Sequence, residues 1–123
     1  MRVPLQDKKY LCYALENTIN RKLYIGVTSA LDERLNLHFS ELRRGKHKAY
    51  GLQEDYNKYG KKAFAVYRME TNISYSEKGQ KELKYILQYK TYLPEYGYNA
   101  KDKRVAAAVE PIIPIFDGMP KTA

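Results

Sequence analysis

Two short runs rich in β-branched and aromatic residues, 9–15 (KYLCYAL) and 22–27 (KLYIGV), flank the polar stretch 16–21, a pattern that predicts a β-hairpin. A hairpin centred between Thr18 and Ile19 sets Tyr13 opposite Tyr24, with both phenols on one face. Helical spacing follows over about 30–44, where Leu31, Leu35, Phe39 and Leu42 recur on one stripe. Ser29 with Asp32 gives that helix a capping-box start, and Gly45 gives it a stop. Arg34 and His38 stand one turn apart on a neighbouring stripe and can point at a shared site.

A second helix is predicted at about 49–59, with Leu52, Tyr56 and Tyr59 inward and Gly60 as its stop. Residues 63–70 (AFAVYRME) read as a third strand. Ser74 and Glu77 then mark a capping box for a helix running to about Tyr89 that buries Leu83, Ile86 and Leu87. The order β-β-α-α-β-α implies an α+β fold, a small antiparallel or mixed three-stranded sheet flanked by helices. Past Val105 charge becomes scarce, and Pro111 and Pro114 rule out a continuing helix. The chain thus divides into a folded domain, 1–104, and an apolar, proline-containing C-terminal tail, 105–123. Ile112, Ile113, Ile115 and Phe116 in that tail are expected to lie as a strap on this domain or on a second copy, so monomer and homodimer both stay open.

Length supports one hydrophobic core and no more: 123 residues make one domain. No stretch approaches the roughly 20 apolar residues that span a bilayer, so no membrane partner is expected. The opening MRVPLQDKKY has no apolar region of the secretory kind. One cysteine, Cys12, excludes a disulfide framework within the chain and points to a reducing cytoplasm. Charge narrows the partner further. Residues 1–104 hold 21 basic against 12 acidic side chains, a net +9, which favours a polyanion such as nucleic acid. Thirteen tyrosines without a tryptophan add rings suited to half-buried surfaces that meet polar ligands.

Several of these residues stand in an order that resembles the GIY-YIG nuclease family, closest to its homing-endonuclease-like branch. Tyr13 ends a first motif that reads Leu11-Cys12-Tyr13 in place of Gly-Ile-Tyr, and Tyr24-Ile25-Gly26 is an intact second motif. Arg34 follows Gly26 by eight positions, Glu82 sits within KELKYI, and Gly97-Tyr98-Asn99 resembles the family's closing segment. The match runs from about Tyr10 to Ala100. It lacks a DNA-recognition region of the length such homologues append.

The resemblance implies a GIY-YIG-like nuclease domain over 1–104 that hydrolyses phosphodiester bonds in DNA with a divalent cation, Mg2+ or Mn2+. Glu82 would be the metal ligand, since one carboxylate with several waters suits a cation that dehydrates reluctantly. Arg34 would grip the scissile phosphate with paired hydrogen bonds. Tyr13 and Tyr24 would orient the water, and one of them would accept its proton; a phenol of pKa about 10 needs help to do so. His38 would assist proton transfer or touch a phosphate, and Asn99 would hydrogen-bond the site. Without the resemblance, His38 reads as a surface histidine. Arg43, Arg44, Lys46, His47 and Lys48 form a basic turn suited to neighbouring phosphates, with no sequence specificity. The rival reading is a catalytically silent domain of the same fold that binds nucleic acid or protein. RNA cleavage is a further alternative.

Overall fold

The computed structural model describes residues 8–100 and 102–109. β1 (Tyr10–Asn17) and β2 (Leu23–Thr28) pair antiparallel, and β3 (Phe64–Ile73) joins the other edge of β1, giving the order β2-β1-β3. Both outer strands run antiparallel to β1, so the sheet is antiparallel and not mixed.

The hairpin register differs from the expected one by two residues. Leu15 faces Tyr24, and Tyr13 faces Gly26. The turn chemistry explains the shift: Asn17 Oδ1 accepts from Ile19 N–H and Asn20 Oδ1 from Lys22 N–H, so the loop begins at Asn17. Arg21 closes it in the left-handed region at φ 69°. A slip of two preserves the face, because side chains alternate with period two. Tyr13 and Tyr24 therefore still project together, as a diagonal pair.

Helices cover both faces. α1 (Leu31–Arg43) and α2 (Tyr50–Tyr59) bury Leu31, Phe39, Leu42 and Leu52 against Tyr13 and Leu15. α3 (Lys78–Tyr89) and α4 (Lys103–Val109) bring Ile86 and Val105 onto Cys12, Ala14 and Ile25. Double coverage explains why β1 reads as a continuous apolar run, for it is the central strand. Each fully buried Leu or Ile contributes roughly 1.5–3 kcal/mol of transfer free energy.

Helix starts depart most from expectation. Ala30, not Ser29, precedes α1, and the Thr28 hydroxyl accepts from Ala30 N–H at 3.1 Å, so no capping box forms with Asp32. Ser74 donates its hydroxyl to the Glu77 carboxylate at 3.0 Å and caps no backbone group. The chain passes through a 3-10 turn, Tyr75–Glu77, before α3 begins. The stops agree better: Gly45 and Gly60 take φ of 71° and 80° where α1 and α2 end. β3 runs three residues past Glu70. α4 crosses residue 105, with Val105 buried on the α3 side of the sheet, so regular structure extends past the expected start of the tail. The tail's prolines and its four large apolar residues lie outside the described residues. Among the described residues no helix is long and apolar enough to cross a membrane.

Candidate active site

Tyr13 sits at the centre of the α1–α2 face and is fully buried. Its hydroxyl lies 2.6 Å from His38 Nε2, one turn along α1 from Arg34. His38 Nδ1 lies 2.8 Å from His47 Nε2, and Ala49 N–H donates to His47 Nδ1 at 3.0 Å. The two imidazoles are 24° from coplanar with centroids 5.0 Å apart, and 2.8 Å is too short for stacked faces. The contact therefore runs edge to edge through the ring nitrogens. Tyr24 closes the group, meeting His38 and His47 at ring separations of 5.2 and 5.8 Å.

Electrostatics follow from this burial. Desolvation and the neighbouring Tyr24 push the Tyr13 phenol well above its ordinary value, while the positive charge of Arg34 pulls it back. Tyr24 is raised by burial and then by Glu82, again opposed by Arg34. His38 is lowered to about 4 by burial, with His47 and Arg34 adding to the effect. His47 is lowered by burial as well. Both imidazoles are thus neutral at pH 7.

Glu82 arrives from α3, on the far side of the sheet, yet its charge acts on Cys12, Tyr13 and Tyr24. Its Oε1 accepts from Arg104 at 2.8 Å, and Arg104 also grips Asp102. Among the described residues, Glu82 Oε2 takes no protein partner, so a half-buried carboxylate keeps one oxygen for a hard cation. That donor set fits a magnesium-like ion retaining several waters. His38, Glu41 and His47 also bring one ligand atom each within 4.8 Å of one another. A cation there would have to part the two imidazoles, whose facing nitrogens already share a proton.

Sequence and fold both match a known catalytic domain. The family model described as the GIY-YIG catalytic domain matches residues 9–99. The chain belongs to the GIY-YIG family. Intron-associated endonuclease 1 of Enterobacteria phage T4 is 38% identical over 48 residues, a match covering 39% of this chain and 20% of that protein. A mutant of the catalytic domain of intron endonuclease I-TevI superimposes with TM-score 0.70 at 27% identity, covering 76% of this chain and 95% of that one. The catalytic domain of homing endonuclease I-TevI gives 0.65 at 27%, covering 72% and 96%. The endonuclease expectation and the resemblance to homing endonucleases agree with these findings.

Within this GIY-YIG frame the motif's glycine has a physical reason. A Cβ on Gly26 would collide with the Tyr13 hydroxyl, because the ring lies across the strand at that position. The departure at Leu11-Cys12 is absorbed by packing: Leu11 joins the Tyr13 cluster and Cys12 the opposite one. Two expectations change, for His38 and His47, and that for Asn99 gains its geometry. His38 is no surface histidine, since it is 5% exposed and bonded to Tyr13. His47 is 7% exposed and turned inward, so it cannot face DNA as its exposed neighbours Arg43, Arg44, Lys46 and Lys48 can. Asn99 uses both ends of its amide on the backbone of Ile25, donating at 3.0 Å and accepting at 2.9 Å. It pins the closing segment to the motif strand, so its hydrogen bonds at the site run to the backbone of Ile25. Arg104 and Asp102 carry no signal in the sequence, where they look like ordinary charges beyond the last motif.

Proposed function

We propose that this chain is a divalent-cation-dependent endonuclease that hydrolyses phosphodiester bonds in DNA. The observation that carries the proposal is that buried Tyr13 and half-buried Tyr24 share one sheet face, where the charges of Arg34 and Glu82 both act on them. Arg34 binds the scissile phosphate, matching its planar fork to two non-bridging oxygens. Tyr13 and Tyr24 align the attacking water, and the positive charge of Arg34 lowers the cost of a phenolate on whichever takes the proton. Glu82 would hold Mg2+ or Mn2+, which when bound supplies electrophilic stabilisation of the phosphate and the departing 3′ oxygen. His38 and His47 keep water out of the interior side of Tyr13, while Asn99 fixes the backbone that carries Tyr24 and Gly26.

An open cleft of about 690 Å³ beside Tyr24 carries Lys22 and Lys48 together with Glu54, Asp55 and Asp102, so the phosphate contacts are assigned to the exposed turn and not to the cleft. Exposed Arg43, Arg44, Lys46 and Lys48 form a basic turn, which suits sequence-independent phosphate contacts. Plasmid, linear, branched and single-stranded DNA, with RNA as control, test the substrate class. Magnesium-dependent cutting of at least one DNA form is expected. Binding without cutting on every substrate would favour the silent domain instead.

A further inference from the structure

Three hydrogen bonds in series, two of them buried, carry more information than their distances alone, because the first has only one possible direction. Ala49 N–H is a backbone donor, so His47 Nδ1, which accepts from it at 3.0 Å, bears no proton. A neutral His47 must then carry its proton on Nε2. That nitrogen faces His38 Nδ1 at 2.8 Å, so His38 Nδ1 accepts and bears none. The remaining proton of neutral His38 sits on Nε2, aimed at the Tyr13 oxygen 2.6 Å away.

We propose that Ala49, His47, His38 and Tyr13 form a one-way hydrogen-bond chain in which His47 is a positioning residue that fixes the tautomer of His38 and thereby the orientation of the Tyr13 hydroxyl. The inference rests on the nuclease reading for its catalytic consequence, though the chain itself does not. His38 donates to the Tyr13 oxygen from one side, and the positive charge of Arg34 acts on the same oxygen. Its own proton must then point away from His38. If that proton leaves, the oxygen meets an N–H at His38 and not a lone pair, so negative charge there is met by a donor. The reverse tautomer would set two lone pairs against each other. Burial supports the neutral state the chain requires, since it lowers both histidines. The backbone of His47 is itself held, with its N–H donating to the buried Gln53 side chain at 3.0 Å.

The protein holds only two histidines, so ring-nitrogen correlation spectra of the labelled, full-length protein assign readily. At pH 7 both rings are expected neutral and protonated at Nε2. A proton on Nδ1 of either ring, or a charged ring, would overturn the proposal. His47→Gln supplies a side-chain N–H in place of Nε2–H and should retain the His38 tautomer and most of the turnover. His47→Phe removes that donor and should mix the His38 tautomers and lower kcat about tenfold or more, with DNA affinity unchanged. A folded His47→Phe variant with an unchanged His38 tautomer and an unchanged kcat would refute the positioning role. Correct tautomers with no cleavage by the wild type would sink the nuclease reading and leave the chain standing. Wrong tautomers with intact cleavage would do the opposite.

Discussion

Two polar clusters meet at this site, and they are built on opposite principles. Tyr13, His38 and His47 are sealed beneath α1 and α2, carry no net charge at neutral pH and satisfy one another at 2.6–2.8 Å. Glu82, Arg104 and Asp102 lie on the α3–α4 side, charged and partly open, with 40% of the Arg104 side chain exposed. Burial fixes protons in the first cluster, because a charged imidazole there has no solvent to compensate it. Exposure leaves the second exchangeable, because an open ion pair is worth only about 0–1 kcal/mol. The sealed cluster thus suits orientation, and the open one suits taking up a cation.

The largest effect should come from the three groups proposed to act on the water and the scissile phosphate. Tyr13→Phe, Tyr24→Phe and Arg34→Lys are each expected to lower single-turnover cleavage by about 10²-fold or more while DNA affinity stays near wild type. A variant that loses affinity and rate in equal measure would assign that residue to ground-state binding instead.

The sealed cluster should next reveal itself in stability against pH. His38 falls from 6.5 to about 4 on folding, so the unfolded chain takes up its proton first as pH drops. Stability from this group is therefore complete above about pH 6.5 and is lost as pH falls from there to about 4, by roughly 3 kcal/mol. His47 is shifted in the same direction and adds to the slope. Denaturant titrations across pH 4–7 should show the loss, and His38→Gln should flatten it.

Much of this architecture is legible in the chain because periodicity reports burial. The three strands, α1 to α3 and the shared face of Tyr13 and Tyr24 follow from alternation and helical spacing, which survive a two-residue slip, whereas α4 is not legible because it runs into the expected tail. The register itself is hidden in Asn17 and Asn20, whose side chains redefine the loop. His47 looks like part of a basic run because residue type carries no direction. Only α2, through Gln53 and Ala49, turns it inward. Arg104 lies 22 positions from Glu82, and no local pattern announces a partner at that distance.

Smaller effects separate the exposed charges. Neutralising Arg43, Arg44, Lys46 and Lys48 together should weaken DNA binding and reduce the salt slope by about 0.9 for each phosphate no longer neutralised, with turnover of bound DNA little changed. An unaltered slope would make the turn a solvated surface. Smallest of all, Arg104→Ala should change stability by no more than about 1 kcal/mol. It should also lower, by a few-fold at most, the cation concentration giving half-maximal cleavage, because Arg104 no longer competes for Glu82. A rise in that concentration would mean that Arg104 orients the carboxylate and does not compete with the cation.

The central claim is that one carboxylate, Glu82, makes this GIY-YIG domain a divalent-cation-dependent endonuclease. Conversion of supercoiled plasmid by the wild type and by Glu82→Ala, each in magnesium and in chelator, tests it directly. Cleavage is expected only for the wild type in magnesium, with the variant folded and still bound to DNA. Cutting by Glu82→Ala at the wild-type rate, or by the wild type in chelator, would contradict it.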